Sequence, residues 1–248
     1  MSVESVVRVA QILRSLSNGT ARISKIADEI QLSNSTVHRL LQTMEDVGLA
    51  GKDPTNRRYF LGPFISSIAF NLRAPHQRLI SIATKPLEQL RNETGETVGL
   101  IMRTGVQRTH LMEILSLQEL RYTALKDSPV PVYAGAAGKV LLSQLGLNEA
   151  KDLIRRIEPV PLGPNTIIDK DAILRELTKT RQVGYAISAG EITQGVMSVS
   201  VPVYNYIFPL ALCIYGPEFR LTDKVMKNVG FLKKTAAQIA QDLGEFGS

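Results

Sequence analysis

Val6, Val9, Ala10, Leu13 and Leu16 recur at steps of three and four, which predicts an amphipathic helix over residues 4–16. Asn18-Gly19 closes it. Ile26, Ala27 and Ile30 mark the inner face of a short second helix, with Ser24 as its expected N-cap. Gln31-Leu32 reads as a tight turn. Ser33 then caps a third helix, whose apolar stripe is Val37, Leu40, Leu41 and Met44 and which Gly48 ends. From Leu49 to Leu61 the pattern is strand, turn, strand, with Asp53-Pro54-Thr55-Asn56 at the turn. Helix, helix-turn-helix, hairpin is the order of a winged helix.

The pattern changes after Gly62. Residues 63–94 are expected to be helical, with Pro75 separating a linker helix from the next one and Pro86 kinking that helix or starting another. Gly95 stops the run. Thr97–Arg103, Arg108–Ile114, Leu120–Leu125, Tyr185–Ser188, Gly195–Tyr204 and Ile207–Tyr215 read as strands. Gly138–Leu145, Asn148–Ile157, Asp171–Val183 and a closing Leu221–Leu243 read as helices, the last starting at Thr222 or Asp223. The expected architecture is α+β: a winged helix-turn-helix over 1–62, a linker helix over 63–80, and a larger α/β sensor-like domain over 81–248.

Composition narrows the class. A chain of 248 residues suits a small domain plus a larger one. With 44% hydrophobic and 21% charged residues it is of ordinary globular type, large enough to fold without staples. The single cysteine, Cys213, cannot pair internally, which fits a reducing, cytoplasmic setting. Glu4, Arg8 and Arg14 break up any secretory signal in the first twenty residues. Ile192 to Pro217 carries no charge and is long enough to span a membrane, but Pro202, Pro209 and the period-two run around Val199 make it strand, so no membrane partner is expected.

Net charge is +6, yet residues 1–62 hold eight Lys/Arg against six acids, so only +2 falls there. A nucleic-acid partner has to be argued from where the cations sit. In a helix-turn-helix the second helix enters the major groove by its N-terminal end. With Val37, Leu40 and Leu41 facing inward, Asn34, Ser35, Thr36, His38 and Arg39 face outward, and Lys52, Arg57 and Arg58 line the hairpin. These eight are the expected DNA contacts. Hydroxyls and the amide suit phosphate or base edges, and Arg39 suits a guanine or a phosphate. Because the charge is modest, a winged-helix adaptor that binds protein instead of DNA is the alternative.

Nothing points to an enzyme, a metal or a cofactor. Three histidines, His38, His76 and His110, lie in separate segments. There is no Cys/His ligand spacing and no Gly-x-Ser-x-Gly elbow, and Gly138-Lys139-Val140 lacks the Ser/Thr of a phosphate loop.

Leu32-Ser-Asn-Ser-Thr-Val-His-Arg-Leu-Leu-Gln-Thr-Met-Glu45 followed by Gly48-Leu49, and Arg58-Tyr-Phe-Leu-Gly-Pro63, resemble the IclR family of bacterial transcriptional regulators. So do Glu93-Thr-Gly-Glu-Thr-Val98, Pro131-Val-Tyr-Ala-Gly-Ala-Ala-Gly-Lys139, Asn165-Thr-Ile-Ile-Asp169, Gly184-Tyr185 and Glu191 with Gly195. The resemblance runs along nearly the whole chain. It implies a homodimer or homotetramer on a pseudo-palindromic double-stranded DNA operator, and a GAF-like C-terminal domain that takes a small organic acid or aromatic metabolite as effector. Carried over position by position, it makes Tyr122, Val130, Ala136, Ala137, Ser188, Val196, Ser198, Cys213 and Tyr215 the effector site. Ser188-Ala189 stand where many members carry acidic residues, which changes the polar contact on offer there. The strand pattern agrees with a lined wall. Met197, Val199 and Val201 share one face and Val196, Ser198 and Ser200 the other; Phe208, Leu210, Leu212 and Ile214 oppose Ala211, Cys213 and Tyr215.

Overall fold

A computed structural model describes residues 3–124 and 130–244, with the backbone alone over 69–75. The chain divides into two compact units, Met1–His76 and Gln77–Ser248.

In the first unit, α1 (Glu4–Ser17), α2 (Ile23–Ile30) and α3 (Asn34–Asp46) precede a two-stranded antiparallel hairpin, β1 (Ala50–Lys52) and β2 (Tyr59–Leu61). Ile12, Ile26, Val37 and Leu41 are fully sealed from solvent, and Met44 nearly so, in one core that Tyr59 of the hairpin joins. Each such burial contributes roughly 1.5–3 kcal/mol, and it is this core that fixes the helices on one another. Ser24 is not the cap of α2. The extended residue before that helix is Arg22, and Ser24 lies inside the first turn.

A single helix, α4 (Pro63–Thr94), replaces the two expected, and the boundary between the units falls within it. Pro86 sits in the helix without dividing it, and the helical backbone also runs through Pro75. Leu79, Ala83, Leu87 and Leu90 supply a fully buried stripe with helical spacing, and that packing outweighs the hydrogen bond each proline removes.

The second unit is built on an antiparallel six-stranded sheet in the order β5-β4-β3-β8-β7-β6. Its strands are β3 (Thr97–Thr104), β4 (Gln107–Ile114), β5 (Val130–Pro131), β6 (Ala186–Ala189), β7 (Val196–Val203) and β8 (Leu210–Pro217). Leu120–Ala124 is not strand, and Leu125 lies outside the described residues. The edge pairing is taken by Val130–Pro131 instead. Phe208 falls in the turn before β8 and is 45% exposed, so it does not share the Leu210 face. Helices α5 (Gly135–Ser143), α6 (Leu147–Arg156) and α7 (Lys170–Val183) cover one face of the sheet together with Ile101, Ala211, Cys213 and Tyr215. The buried stripe of α4 and the closing helix α9 (Val225–Gly244) cover the other, with Val98, Leu100, Val199, Leu212 and Ile214. A one-turn α8 (Glu218–Leu221) and a 3-10 turn (Thr222–Lys224) precede α9, so the closing helix starts later than the sequence pattern suggests. The fold is mixed α+β, as expected. No helix among the described residues is long and apolar enough to cross a membrane.

Candidate nucleic-acid interface and effector site

The turn between α2 and α3 is made by Gln31, whose left-handed φ of 55° ends α2 abruptly. Ser33 then caps α3: its Oγ accepts the Thr36 amide at 3.2 Å and lies 3.0 Å from Ser35 Oγ and 2.9 Å from Thr36 Oγ1. A cap of this kind leaves the remaining first-turn amides pointing outward, where the helix dipole favours an anion such as phosphate. Asn34, Ser35 and Arg39 are exposed and Thr36 and His38 half-buried, so five expected contacts occupy one end of one helix.

The hairpin is shaped by Asp53. Its carboxylate accepts the Thr55 amide at 2.8 Å, the Asn56 side-chain amide at 2.7 Å and the Thr55 hydroxyl, and these bonds, the Thr55 hydroxyl first, hold its pKa below the ordinary value. Arg57 takes a left-handed φ of 54°, and Asn56 Oδ1 accepts the Arg58 amide at 2.9 Å. Arg57 and Arg58 are exposed at the tip, while Lys52 is half-buried with its ammonium 5.4 Å from the centre of the Tyr59 ring. Tyr59 N–H donates to Ala21 O at 2.8 Å, which ties the wing to the loop before α2.

The expected effector residues gather on the α5-facing side of the sheet. In the antiparallel registers Ser188 opposes Ser198 and Ser198 opposes Tyr215, so the three form one cross-strand row. Cys213 and Ser200 form the next row, and Val196 stands two residues before Ser198 on the same face. Ala136 and Ala137 in the first turn of α5 pack into the same cluster. The Tyr122 ring meets Tyr215 edge-on at 5.9 Å, and its hydroxyl lies 3.3 Å from Thr193 Oγ1. Val130 is placed at the sheet edge, opposite Arg108. A cleft of about 460 Å³ by the β7–β8 turn, lined by Gln144, Arg181 and Tyr204 among others, contains none of the nine.

Sequence reasoning missed the polar heart of this face. On β4 the register slips between Leu100 and Ile101: His110 opposes Ile101 and Met112 opposes Leu100, leaving Leu111 as the extra residue of a β-bulge. Leu111, Met112 and Ile114 pack on the α9 side. Arg108, His110 and Glu113 therefore share the α5-facing side, although 110 and 113 differ in parity. Tyr215 and Thr123 donate their hydroxyls to Glu113, the latter at 2.7 Å, as does the Ala124 amide at 2.8 Å. Burial, and then the Glu113 charge, push the Tyr215 phenol well above its ordinary pKa. The Cys213 thiol is pushed up to about 12 by burial, so it acts as a small apolar group rather than a nucleophile. His110 is pushed down to about 4, by burial first and then by Arg108, and is neutral near pH 7. Lys139 Nζ donates to Glu191 Oε1 at 2.6 Å while Glu191 Oε2 accepts the Gly135 amide at 2.9 Å, a buried pair that anchors the start of α5. Arg108 and His110 stand at period-two positions in a predicted strand, which was a usable signal; Glu113 had none without the bulge. Among the described residues no group of three or more His, Cys, Asp or Glu side chains could hold a metal ion.

A capped helix presented after a tight turn, a short hairpin with basic residues, and a separate α+β unit with polar groups buried on one sheet face are the parts of a winged-helix regulator carrying a ligand-sensing domain. The profile described as "Bacterial transcriptional regulator IclR C-terminal" matches residues 73–241, and that described as "IclR helix-turn-helix domain" matches residues 5–54. The chain belongs to the IclR family of bacterial transcriptional regulators. The regulator XynR of Escherichia coli strain K12 is 32% identical over 213 residues, spanning 82% of this chain and 81% of that protein. The crystal structure of an IclR transcriptional regulator from Alicyclobacillus acidocaldarius superposes with a TM-score of 0.71 at 28% identity, covering 98% of this chain and 100% of that one. An IclR homolog of Microbacterium hydrocarbonoxydans, complexed with 4-hydroxybenzoate, gives a TM-score of 0.71 at 23% identity over 96% and 98% of the two chains. The chain is thus a transcriptional regulator with a DNA-binding helix-turn-helix domain and a C-terminal effector-binding domain, and not an enzyme or a DNA-free adaptor.

Proposed function

We propose that α3 and the wing form the operator-reading surface, with Asn34, Ser35, Thr36, His38 and Arg39 at the major groove and Lys52, Arg57 and Arg58 on flanking backbone. Residues 1–62 are the DNA-binding domain, 63–80 the linker and 81–248 the effector and oligomerisation domain. The carrying observation is the Ser33-capped start of α3, which places an exposed arginine, an amide and two hydroxyls around outward-pointing amides. Two such helices are needed to read two half-sites about one helical turn or more apart, so the active species is a homodimer or homotetramer on a pseudo-palindromic site. A small acid or aromatic metabolite bound on the α5-facing side of the sheet shifts the population of sensor arrangements and with it the fit to the operator. The 4-hydroxybenzoate held by the Microbacterium homolog supports that effector class.

The test is DNA binding to the chain's own upstream region across a salt series. Phosphate contacts give a steep loss of affinity with salt. Arg39→Ala weakens operator binding by roughly 1–3 kcal/mol if Arg39 reads a base. Undiminished binding by that variant removes Arg39 from the interface, and absence of DNA binding by the parent chain refutes the operator-reading assignment.

A further inference from the structure

After β4 the chain runs from Leu115 to Ala124 as a strap with neither helix nor strand. Its leucines do not anchor it: Leu115, Leu117 and Leu120 are 40%, 78% and 61% exposed. Polar bonds do, and they converge on one short segment, the end of α4 and the start of β3. Arg91 Nη1 donates to Leu115 O at 3.2 Å, and Ser116 Oγ to Gly95 O at 2.6 Å. Thr97, sealed from solvent, donates its hydroxyl to Tyr122 O at 2.8 Å and accepts the Ser116 amide at 3.1 Å. Arg220 grips Glu96 through two nitrogens, at 2.6 and 2.8 Å, and donates to Leu120 O at 2.8 Å.

The far end of the strap is fastened to the α5-facing side of the sheet. Glu113 accepts from Thr123 and Ala124 and also from Tyr215, whose ring meets that of Tyr122. A Cβ on Gly216 would collide with the Glu96 carboxylate, so the Arg220 clamp also abuts β8 directly after Tyr215. Any buried loop must satisfy its backbone groups. This strap differs in that one hydroxyl, Thr97 Oγ1, holds Ser116 at one end and Tyr122 at the other. Neither can shift without disturbing the segment that ends α4, and α4 is one continuous helix within which the two units meet.

We propose that Thr97 and Ser116 are positioning residues that couple Tyr122 to the linker helix, so that a change at the sensor face alters operator affinity through the strap. This rests on the reading above and deepens it by naming the route. Energetic coupling needs an element that both sites can bias. The strap is such an element, because it is held by a few bonds to each side and by little apolar burial of its own.

The experiment uses the full chain and DNA from its own upstream region, with Tyr122→Ala standing in for a ligand. Tyr122→Ala changes the operator dissociation constant by roughly threefold or more, although Tyr122 is no DNA contact. Thr97→Val and the milder Ser116→Ala do so too, Thr97→Ser keeps the parent value, and adding Tyr122→Ala to Thr97→Val changes little further. Arg181→Gln breaks a comparable clamp, from α7 to Ser143 O and Leu145 O, and leaves operator affinity unchanged, so lost stability alone does not move the readout. Amide exchange over the last two turns of α4 is the second readout: Tyr122→Ala speeds it in the parent background and not in Thr97→Val. Unaltered affinity in Tyr122→Ala, additive effects of Tyr122→Ala and Thr97→Val, or an equal effect of Arg181→Gln would each overturn the coupling. A parent that binds no DNA sinks the operator reading alone, and amide exchange then decides: unchanged exchange in Tyr122→Ala overturns the strap as well. Neither readout uses a ligand, so the coupling and the effector reading fail separately.

Discussion

Acidification tests the electrostatics of the α5-facing side of the sheet through His110. The imidazole lies on β4 with Arg108 and Glu113, on the same side of the sheet, and meets the Tyr215 ring edge-on at 6.2 Å. Burial and Arg108 push its pKa from 6.5 down to about 4, against the opposing pull of Glu113. The unfolded chain therefore takes up the proton first as pH falls. The stability owed to neutral His110 is complete above pH 6.5, declines as pH drops through the window from 6.5 towards 4, and is gone below it. The gap between those values corresponds to about 3 kcal/mol. A loss of that size lowers the melting temperature of a unit this large by roughly 6–12 °C. Proton magnetic resonance of the three histidines, assigned with His38→Gln and His76→Gln variants, gives the midpoint directly, and urea unfolding of the parent and His110→Leu between pH 4.5 and 7 gives the energy. The parent loses stability faster than the variant as pH falls. A His110 midpoint at or above 6, or parallel stability curves, refutes the account of the buried face.

Two further predictions concern single contacts. Ser33→Ala removes the cap that accepts the Thr36 amide and costs about 1 kcal/mol, which lowers the melting temperature of the N-terminal unit by roughly 4–8 °C; Ser33→Asn, which can still cap, retains most of it, and an unchanged Ser33→Ala transition rules the cap out. Lys139→Met strands Glu191 in the core, with both partners of the present pair about 5% exposed, and costs roughly 3–5 kcal/mol. The double variant Lys139→Met/Glu191→Gln recovers part of that loss, and equal stability of single and double variants in denaturant titration contradicts the pairing.

The two halves of the chain differ in how far their residues betray them. The winged helix was legible because its determinants are local: a cap three residues from its donor, apolar positions at helical spacing, and a turn whose Asp53 is met by Thr55 and Asn56 next to it. The alternation in β7 and β8 likewise separated Cys213 and Tyr215 from Leu212 and Ile214, because strand parity alone decides the face. Long-range effects set the rest. Pro86 looked like a break, but the stripe from Leu79 to Leu90 has a sheet to bury against, and a sequence shows the proline without the sheet. Leu120–Leu125 had strand-like composition, yet a residue count cannot tell which segment will win the edge beside β4. The bulge at Leu111 is the most consequential of these. Had β4 paired without it, Glu113 would face α9 and the Tyr215 hydroxyl would lose its acceptor. Glu113 would then be absent from the side that holds Arg108, His110 and Tyr215. One inserted residue thus brings a carboxylate to this face. Three donors then occupy it, the Thr123 hydroxyl and Ala124 amide from the next segment and the Tyr215 hydroxyl from β8.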